Sequence, residues 1–368
     1  MMKTYDVAIV GAGTMGAAGA YFCQQKGLDV LLIDAHTPPH EEGSHHGASR
    51  LFRYIYHNDA YQQLLNRAAY LWAYLEEKHD VHLLNRCGVI NIAPHDHVTL
   101  HSKRNMADIY GLPYEWIDST AIQKRWPGFS LRENDAGLFE PEAGYLHSER
   151  CIALFLRACG AVDTLFNQPV KQITQEDKDI VIHCADSHFR ARRVVISAGT
   201  WAQHIAGLNI ALPYTALRKT FAWYAAPTLY QERQGFPGFT VVSDAGIYYG
   251  FPDNGEGLKV GRHDGGEAMR DATERFAYGH YVRDQQDTDA FLKQFLPQVG
   301  ALRAGKVCSY DSTADEDFII SLLPEDERLL LLSGFSGHGF KFAPAMGEIV
   351  ADFASGKGLS STLLPFSL

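Results

Sequence analysis

No apolar run in this 368-residue chain approaches the length that crosses a bilayer, so a membrane-spanning role is not expected. Positive charge is also short. Lys and Arg number 33 against 43 Asp and Glu, a formal net charge of −10. A surface that tracks phosphates needs the opposite balance, which removes nucleic acid from the expected partners. The six cysteines (Cys23, Cys87, Cys151, Cys159, Cys184 and Cys308) fall without paired spacing. Neither a disulfide framework nor a zinc motif is expected, and reduced thiols point to the cytoplasm. The opening Met1-Met2-Lys3-Thr4-Tyr5-Asp6 lacks the apolar core of a secretory leader. What remains, 46% hydrophobic and 21% charged residues, is an ordinary globular balance, and such a length usually splits into two domains.

The organising stretch runs from Tyr5 to Asp34. The unbroken Val7-Ala8-Ile9-Val10 reads as a buried parallel strand. Gly11-Ala12-Gly13-Thr14-Met15-Gly16 follows, then a helical segment from Ala17 to Gln25, then the apolar Val30-Leu31-Leu32-Ile33. Gly11 makes the tight turn, Gly13 lets the backbone approach a pyrophosphate, and Gly16 lets helix and sheet pack closely. The helix N-terminus offers unpaired N–H groups to the phosphates. Asp34 arrives roughly 20 residues on, placed to accept from ribose hydroxyls. An acid there, rather than a basic cluster, favours NAD or FAD over NADP.

Further along, Gly43-Ser44-His45-His46-Gly47-Ala48-Ser49-Arg50 is irregular, with Arg50 and Arg53 spaced to share a side of a single turn. Adjacent histidines diverge on regular elements, so His45 and His46 do not suggest a metal site, and none is expected. Leu64, Ala68, Leu71, Trp72 and Leu75 mark one face of a helix over 60–79. A strand is expected at Gly88 to Ile92, and helices at 96–110, from Asp118 to before Pro127, and from Ser148 to Cys159. The buried run Arg192 to Ile196 ends in a small-residue turn. Between Arg218 and His263 short aromatic strands (Phe221 to Tyr224, Gly246 to Gly250, Leu258 to Gly261) suggest an antiparallel or mixed sheet facing the substrate. A helix is expected at 287–296. Near the end, Phe318 to Ile320 and Leu329 to Leu332 lead through Gly334-Phe335-Ser336-Gly337-His338-Gly339 into a helix from about Pro344 to Ala354. This second strand, glycine loop and helix should rejoin the first sheet. The expected fold is therefore mixed α/β and α+β. A discontinuous Rossmann-type domain (1–80, 148–212 and 309–368) accompanies a mixed or antiparallel-sheet substrate domain (81–147 and 213–308).

Gly11 to Gly16, Gly43 to Gly47, Tyr248-Tyr249-Gly250-Phe251-Pro252, Cys308-Ser309-Tyr310 and Gly334 to Phe342 together resemble the monomeric sarcosine oxidase family. These are FAD-dependent amine oxidases of the D-amino acid oxidase-like fold, and the likeness covers essentially the whole chain. One departure is plain. The family has Asp-Thr where this chain has Ala48-Ser49. Ser49 keeps the hydroxyl, the carboxylate is lost, and the orientation of Arg50 is left open.

The resemblance implies one FAD per chain, tethered by a thioether from Cys308. On its own a lone cysteine is usually a small buried hydrophobe, although Arg303 and Lys306 nearby favour a thiolate. It implies that Arg53 and Lys341 clamp the substrate carboxylate, and that Lys259 is the cation that activates oxygen. Read alone, Lys259 between Leu258 and Val260 is a solvent-facing strand lysine. Arg50 and His46 are implied beside the flavin, with His263 and Tyr249 lining the substrate site. The cofactor set becomes Gly11, Gly13, Gly16, Asp34, His46, Ser49, Arg50, Cys308, Gly337, Gly339 and Lys341. Lys259, Arg50 and His263 become the catalytic set, and Arg53, Lys341 and Tyr249 the substrate set. The implied reaction is oxidative demethylation of an N-methyl amino acid with O2 by a monomeric enzyme. N-methyl-L-tryptophan is the first expectation and sarcosine the alternative. Phe221, Trp223, Phe239, Tyr248 and Tyr249 are candidates to receive an indole, or simply core. The rival readings are an NAD-dependent dehydrogenase and a non-catalytic dinucleotide-binding module.

Overall fold

The computed structural model describes residues 3–208 and 211–368; the Met1-Met2 start lies outside the described residues. Continuous apolar runs stack as expected of strands covered on both faces. Asp163–Leu165, Val30–Ile33, Thr4–Val10, His188–Ile196 and Asp326–Ser333 lie side by side, all parallel. Ile319–Leu323, Ile180–His183 and Gln172–Gln175 extend this sheet with antiparallel pairs. The C-terminal strand–loop–helix unit does rejoin the N-terminal one.

Small residues let the two chain ends meet. Helices Thr14–Gln25 and Ala343–Ala354 lie against each other. A Cβ on Gly347 would fall 2.9 Å from the Ala18 carbonyl oxygen, and one on Gly19 would fall 2.9 Å from Val350 Cγ1. Interiors this dense leave no room for the extra methyl.

The second sheet is built around Tyr214–Tyr224, an 11-residue strand where the aromatics alone suggested only its end. It pairs antiparallel with Leu258–Arg262 on one side and Leu302–Thr313 on the other. Gly246–Phe251, Gly238–Ser243, Val89–Pro94, Asp135–Glu140 and Glu115–Asp118 continue it. Leu302–Thr313 was not anticipated as a strand. Its first half is only partly buried, with Arg303 and Lys306 interrupting the apolar alternation. Helix Thr14–Gln25 starts ahead of the expected Ala17, and the late helix spans Arg283–Phe295. Ser49–Phe52 is a strand paired with Gly144–His147, not a helical turn. Arg50 lies within that strand and Arg53 just beyond its end.

Candidate functional site

A cavity of about 560 Å³ opens at the carboxyl ends of the parallel strands, where connections from Thr4–Val10 and its neighbours diverge. Gly11, Gly13, Asp34, Gly337 and Gly339 line it, with Ser197 to Gly199 closing one side. Gly11 has φ +100°, and a Cβ there would sit 2.4 Å from the Ser197 carbonyl oxygen. Gly16 stands behind the lining, where its Cβ would fall 1.8 Å from the Gly11 carbonyl oxygen. Gly13 is different: a Cβ would meet only His45 Nδ1, at 3.6 Å. Its open surroundings leave space for a ligand. Gly13 also caps the helix without a side chain, so first-turn N–H groups are available to an anion.

Asp34 holds this turn from the next strand. Its Oδ2 accepts from Ala12 N at 2.6 Å and its Oδ1 from His36 N at 2.8 Å. Burial works against the carboxylate, but His40 and these two N–H groups outweigh it and hold the pKa below the ordinary value.

The loop from Ser44 to Arg50 forms the partition with a second cavity. Here the question left by Ala48-Ser49 is answered. The Arg50 guanidinium donates to the carbonyls of Ser44 (2.6 Å), His46 (2.6 Å) and Ser49 (2.7 Å), so backbone fixes it without a carboxylate. Glu149 Oε1 takes the Gly47 N–H at 3.1 Å from outside the loop. His45 and His46 face different neighbours, the His40 ring and Phe221. Burial and the Arg50 and Arg275 charges push His46 down to about 3, leaving a neutral imidazole.

Lys259 is not solvent-facing. It is 2% exposed, and its Nζ donates to Gly47 O (2.5 Å), Ser49 O (3.1 Å) and Ser49 Oγ (3.3 Å). The rings of Phe221 and Phe251 stand 4.6 and 4.8 Å from that nitrogen. Burial, then the Arg50 charge, pushes its pKa well below the ordinary lysine value, while the carbonyls and ring faces favour the ammonium. Cys308 lies opposite Lys219 in the strand register and is buried. Burial raises its thiol, opposed by the charges of Arg50, Lys219, Lys259 and Arg275. Arg303 and Lys306 are thus not the cations nearest the sulfur in effect; Lys306 turns outward to Glu41.

The second cavity, about 460 Å³, shares Arg50, Tyr310, Gly337 and Phe340 with the first. Arg53, Tyr249, His263, Cys308 and Lys341 all line it. His263 Nε2 lies 3.9 Å from Glu316 Oε2 at its rim. Among the described residues Lys341 Nζ bonds only the His338 carbonyl, at 3.2 Å, and stands 5.0 Å from the Tyr56 ring. Burial first, then repulsion from Arg53 and Lys103, drives its pKa well down. Arg53 Nη1 donates to Asn91 Oδ1 at 3.0 Å, and its buried Nε has no partner among the described residues. His46, Ser49 and Lys259 stand behind the walls rather than on them. Of the aromatic candidates, Phe221, Tyr248 and Tyr249 reach the cavity. Phe239 instead packs among Phe129, Phe236 and Phe291, and Trp223 lies beside Phe221 and Lys259. Asn91, Lys103, Glu140 and Tyr56 were missed by sequence reasoning. For Lys103 a signal existed: it sits among Leu100, Met106 and Ala107 on the apolar face of helix Val98–Tyr110.

Among the described residues no helix is long and apolar enough to cross a membrane. A family profile for FAD dependent oxidoreductases matches residues 6–353. An N-methyl-L-tryptophan oxidase of Yersinia pestis (strain Pestoides F) is 41% identical over 371 aligned residues, covering 99% of this chain and 98% of that one. Among solved structures, NikD, an unusual amino acid oxidase essential for nikkomycin biosynthesis, superposes with TM-score 0.87 at 22% identity, covering 100% and 98% of the two chains. Glycine oxidase from Geobacillus kaustophilus gives TM-score 0.81 at 21% identity, with 99% and 98% covered. The profile match and the full-length relative place this chain in the family of FAD-dependent oxidoreductases, on a D-amino acid oxidase-like fold.

Proposed function

We propose that this chain catalyses oxidative demethylation of an N-methyl amino acid: N-methyl-L-tryptophan, water and O2 give L-tryptophan, formaldehyde and hydrogen peroxide. The observation that carries it is the pair of cations, half-buried Arg53 and buried Lys341, in a cavity that shares a wall with the dinucleotide cavity. An amino-acid carboxylate suits them, since Arg presents a two-pronged fork and both have spare donors.

The first cavity fits FAD on its own terms: a backbone cradle at Gly11 and Gly13, an uncapped helix start, and a buried Ser309 Oγ with no partner among the described residues. Asp34 would hold the nucleotide side, with Arg50, Gly337 and Gly339 toward the ring and His46 behind that wall. When bound, FAD would supply a two-electron acceptor that O2 can reoxidise. The chain does the rest. Arg53 and Lys341 fix the carboxylate, and their positive field disfavours an ammonium, so the substrate amine is held as the free base with its lone pair available. Tyr249 and His263 bound the volume around the reacting N-methyl group. Lys259 supplies fixed positive charge where dioxygen reduction builds negative charge. Cys308 is the residue for covalent attachment; burial raises its thiol pKa overall, and the Arg50, Lys219, Lys259 and Arg275 charges limit that rise. Val98, Leu100, Val242 and Ile247 give the cavity an apolar side able to receive an indole.

In this reading residues 1–80, 148–212 and 309–368 hold FAD and residues 81–147 and 213–308 shape the substrate site, with Leu302–Thr313 crossing between them. The enzyme acts as a cytoplasmic monomer, in keeping with its free thiols. The test is a peroxide assay on purified protein. N-methyl-L-tryptophan should be turned over with higher kcat/KM than sarcosine, and acid precipitation should leave a yellow pellet. Absence of peroxide with every N-methyl amino acid would refute the reaction. A colourless pellet above a yellow supernatant would remove only the tether.

A further inference from the structure

The substrate cavity contains more positive charge than a two-cation clamp requires. Lys103, on helix Val98–Tyr110, lines it and is 5% exposed. Its Nζ donates to Asn91 Oδ1 at 2.6 Å. The same oxygen accepts from Arg53 Nη1 at 3.0 Å and from Thr240 Oγ1 at 3.1 Å. An amide oxygen has two lone pairs, so three donors compete for it. Asn91 cannot turn away from them: its Nδ2 is committed to Leu138 O (3.2 Å) and Glu140 Oε1 (3.0 Å).

Glu140 is the nearby buried carboxylate, and it does not serve Lys103 directly. Its Oε2 takes the Tyr54 and Ile55 N–H groups at 2.6 and 3.0 Å. Three cations therefore gather where the nearby buried carboxylate is already engaged. Asp315, Glu316 and Asp317 also line the cavity but are less buried. Glu140 is the carboxylate whose charge reaches Lys103 and Lys341, while Arg53 Nε has no acceptor among the described residues. A lysine present only to brace helix against sheet would bring a carboxylate partner with it, because an unpaired buried ammonium is costly. Burial and the Arg53 charge in fact press Lys103 well below the ordinary lysine value, with Glu140 opposing. The cluster is short of acceptors, and an incoming carboxylate supplies them.

We propose that Lys103 is a third arm of the substrate-carboxylate site, sharing the bound anion with Arg53 from their common anchor on Asn91 and setting the preference for amino acids over simple amines. This rests on reading the cavity as an amino-acid site. Lys103 and Arg53 both reach within 3.0 Å of one atom, so a single carboxylate can bridge them.

The test uses the holoenzyme and two ligands without an oxidisable amine, indole-3-propionate and its neutral isostere indole-3-propionamide, with dissociation constants read from perturbation of the flavin absorbance. Lys103→Met should weaken the carboxylate about tenfold or more and the carboxamide less than about threefold, the scale of losing one charge-assisted hydrogen bond. Turnover of N-methyl-L-tryptophan should suffer in KM rather than kcat, and Lys103→Arg should restore most of the loss. If Lys103→Met does not accumulate, Lys103→Gln removes the charge while keeping an N–H for Asn91, and the same split is expected. Equal losses on both ligands, or none, overturn the proposal. Arg53→Lys separates the two readings. If it collapses the carboxylate preference while Lys103 variants keep it, only the third arm falls. Wild-type enzyme that does not prefer the carboxylate removes the amino-acid reading, and Lys103 with it.

Discussion

The two cavities share a wall but are made differently. The larger is framed by backbone: glycine turns at the ends of parallel strands, where space is created by omitting side chains. The smaller is framed by side chains from segments remote in sequence, with Arg53, Asn91, Lys103 and Lys341 converging from the end of one strand, the middle of another, an α-helix and a short 3-10 helix. A backbone-built site tolerates no added atom where glycine meets backbone, as at Gly11 and Gly16, and depends less on charge. A side-chain-built site tolerates repacking, and its function depends on charge. Substitutions in the two should fail in different ways.

The largest effect is expected at Gly16. A methyl there would lie 1.8 Å from a backbone oxygen, which no rotamer change relieves, so Gly16→Ala should yield no FAD-containing protein. Gly13→Ala is the counterpart. Its Cβ meets nothing closer than 3.6 Å within the chain, so it should fold with a near-normal melting temperature and lose FAD because the methyl occupies the approach of the phosphates. Flavin absorbance per chain and a thermal melt check both. Similar behaviour of the two variants would break the distinction between packing and ligand glycines.

On the side-chain side, the largest expected loss is at Lys259. A cation about 4 Å from developing negative charge contributes about 4 kcal/mol at an effective dielectric near 20, or roughly a thousandfold in rate. Lys259→Met should slow reoxidation of the bound flavin by O2 on that scale, while anaerobic reduction by substrate changes little. Stopped-flow measurement of the two half-reactions decides it. Equal slowing of both would make Lys259 a brace for the Gly47 to Ser49 loop, which its hydrogen bonds also permit.

The same contrast explains what could be read in advance. Gly11, Gly16 and Asp34 were legible because a strand, a turn and a helix adjacent in sequence determine their geometry. Ser49 to Arg53 was misjudged as a turn because its pairing partner, Gly144–His147, lies far along the chain. The strand Leu302–Thr313 was invisible for a similar reason: it is held by Tyr214–Tyr224, not by its own alternation. Arg53 and Lys341 came from family likeness, and neither spacing nor composition indicates that they meet. Lys103 was legible in principle as a charge on an apolar helix face, but its partner Asn91 belongs to a sheet strand, and only the assembled fold brings them together.

Asp311 supplies the smallest expected effect and the sharpest exception, since it places an ionisable side chain in the wall of the backbone-built cavity. Its Oδ2 accepts from Gly334 N at 2.8 Å and Ser333 Oγ at 3.2 Å, pinning the second glycine loop. Burial nevertheless outweighs these bonds and raises its pKa to about 6, from 3.8 as a free side chain. The folded chain then binds this proton more tightly than the unfolded chain does. Stability from this group is fully present below pH 3.8 and is lost as pH rises through about 6, at about 1.4 kcal/mol per pH unit inside that window. Asp311→Asn cannot ionise, and its Oδ1 can still accept the Gly334 N–H. Relative to wild type it should be stabilised at pH 8 by at most about 3 kcal/mol, with the advantage shrinking toward zero near pH 4. Urea midpoints of the two proteins, compared pairwise at each pH, isolate this group from the carboxylates whose pKa values are lowered, such as Asp34 and Asp284. Parallel profiles would mean that Asp311 is held ionised by the loop it pins, and the larger cavity would then owe part of its shape to charge after all.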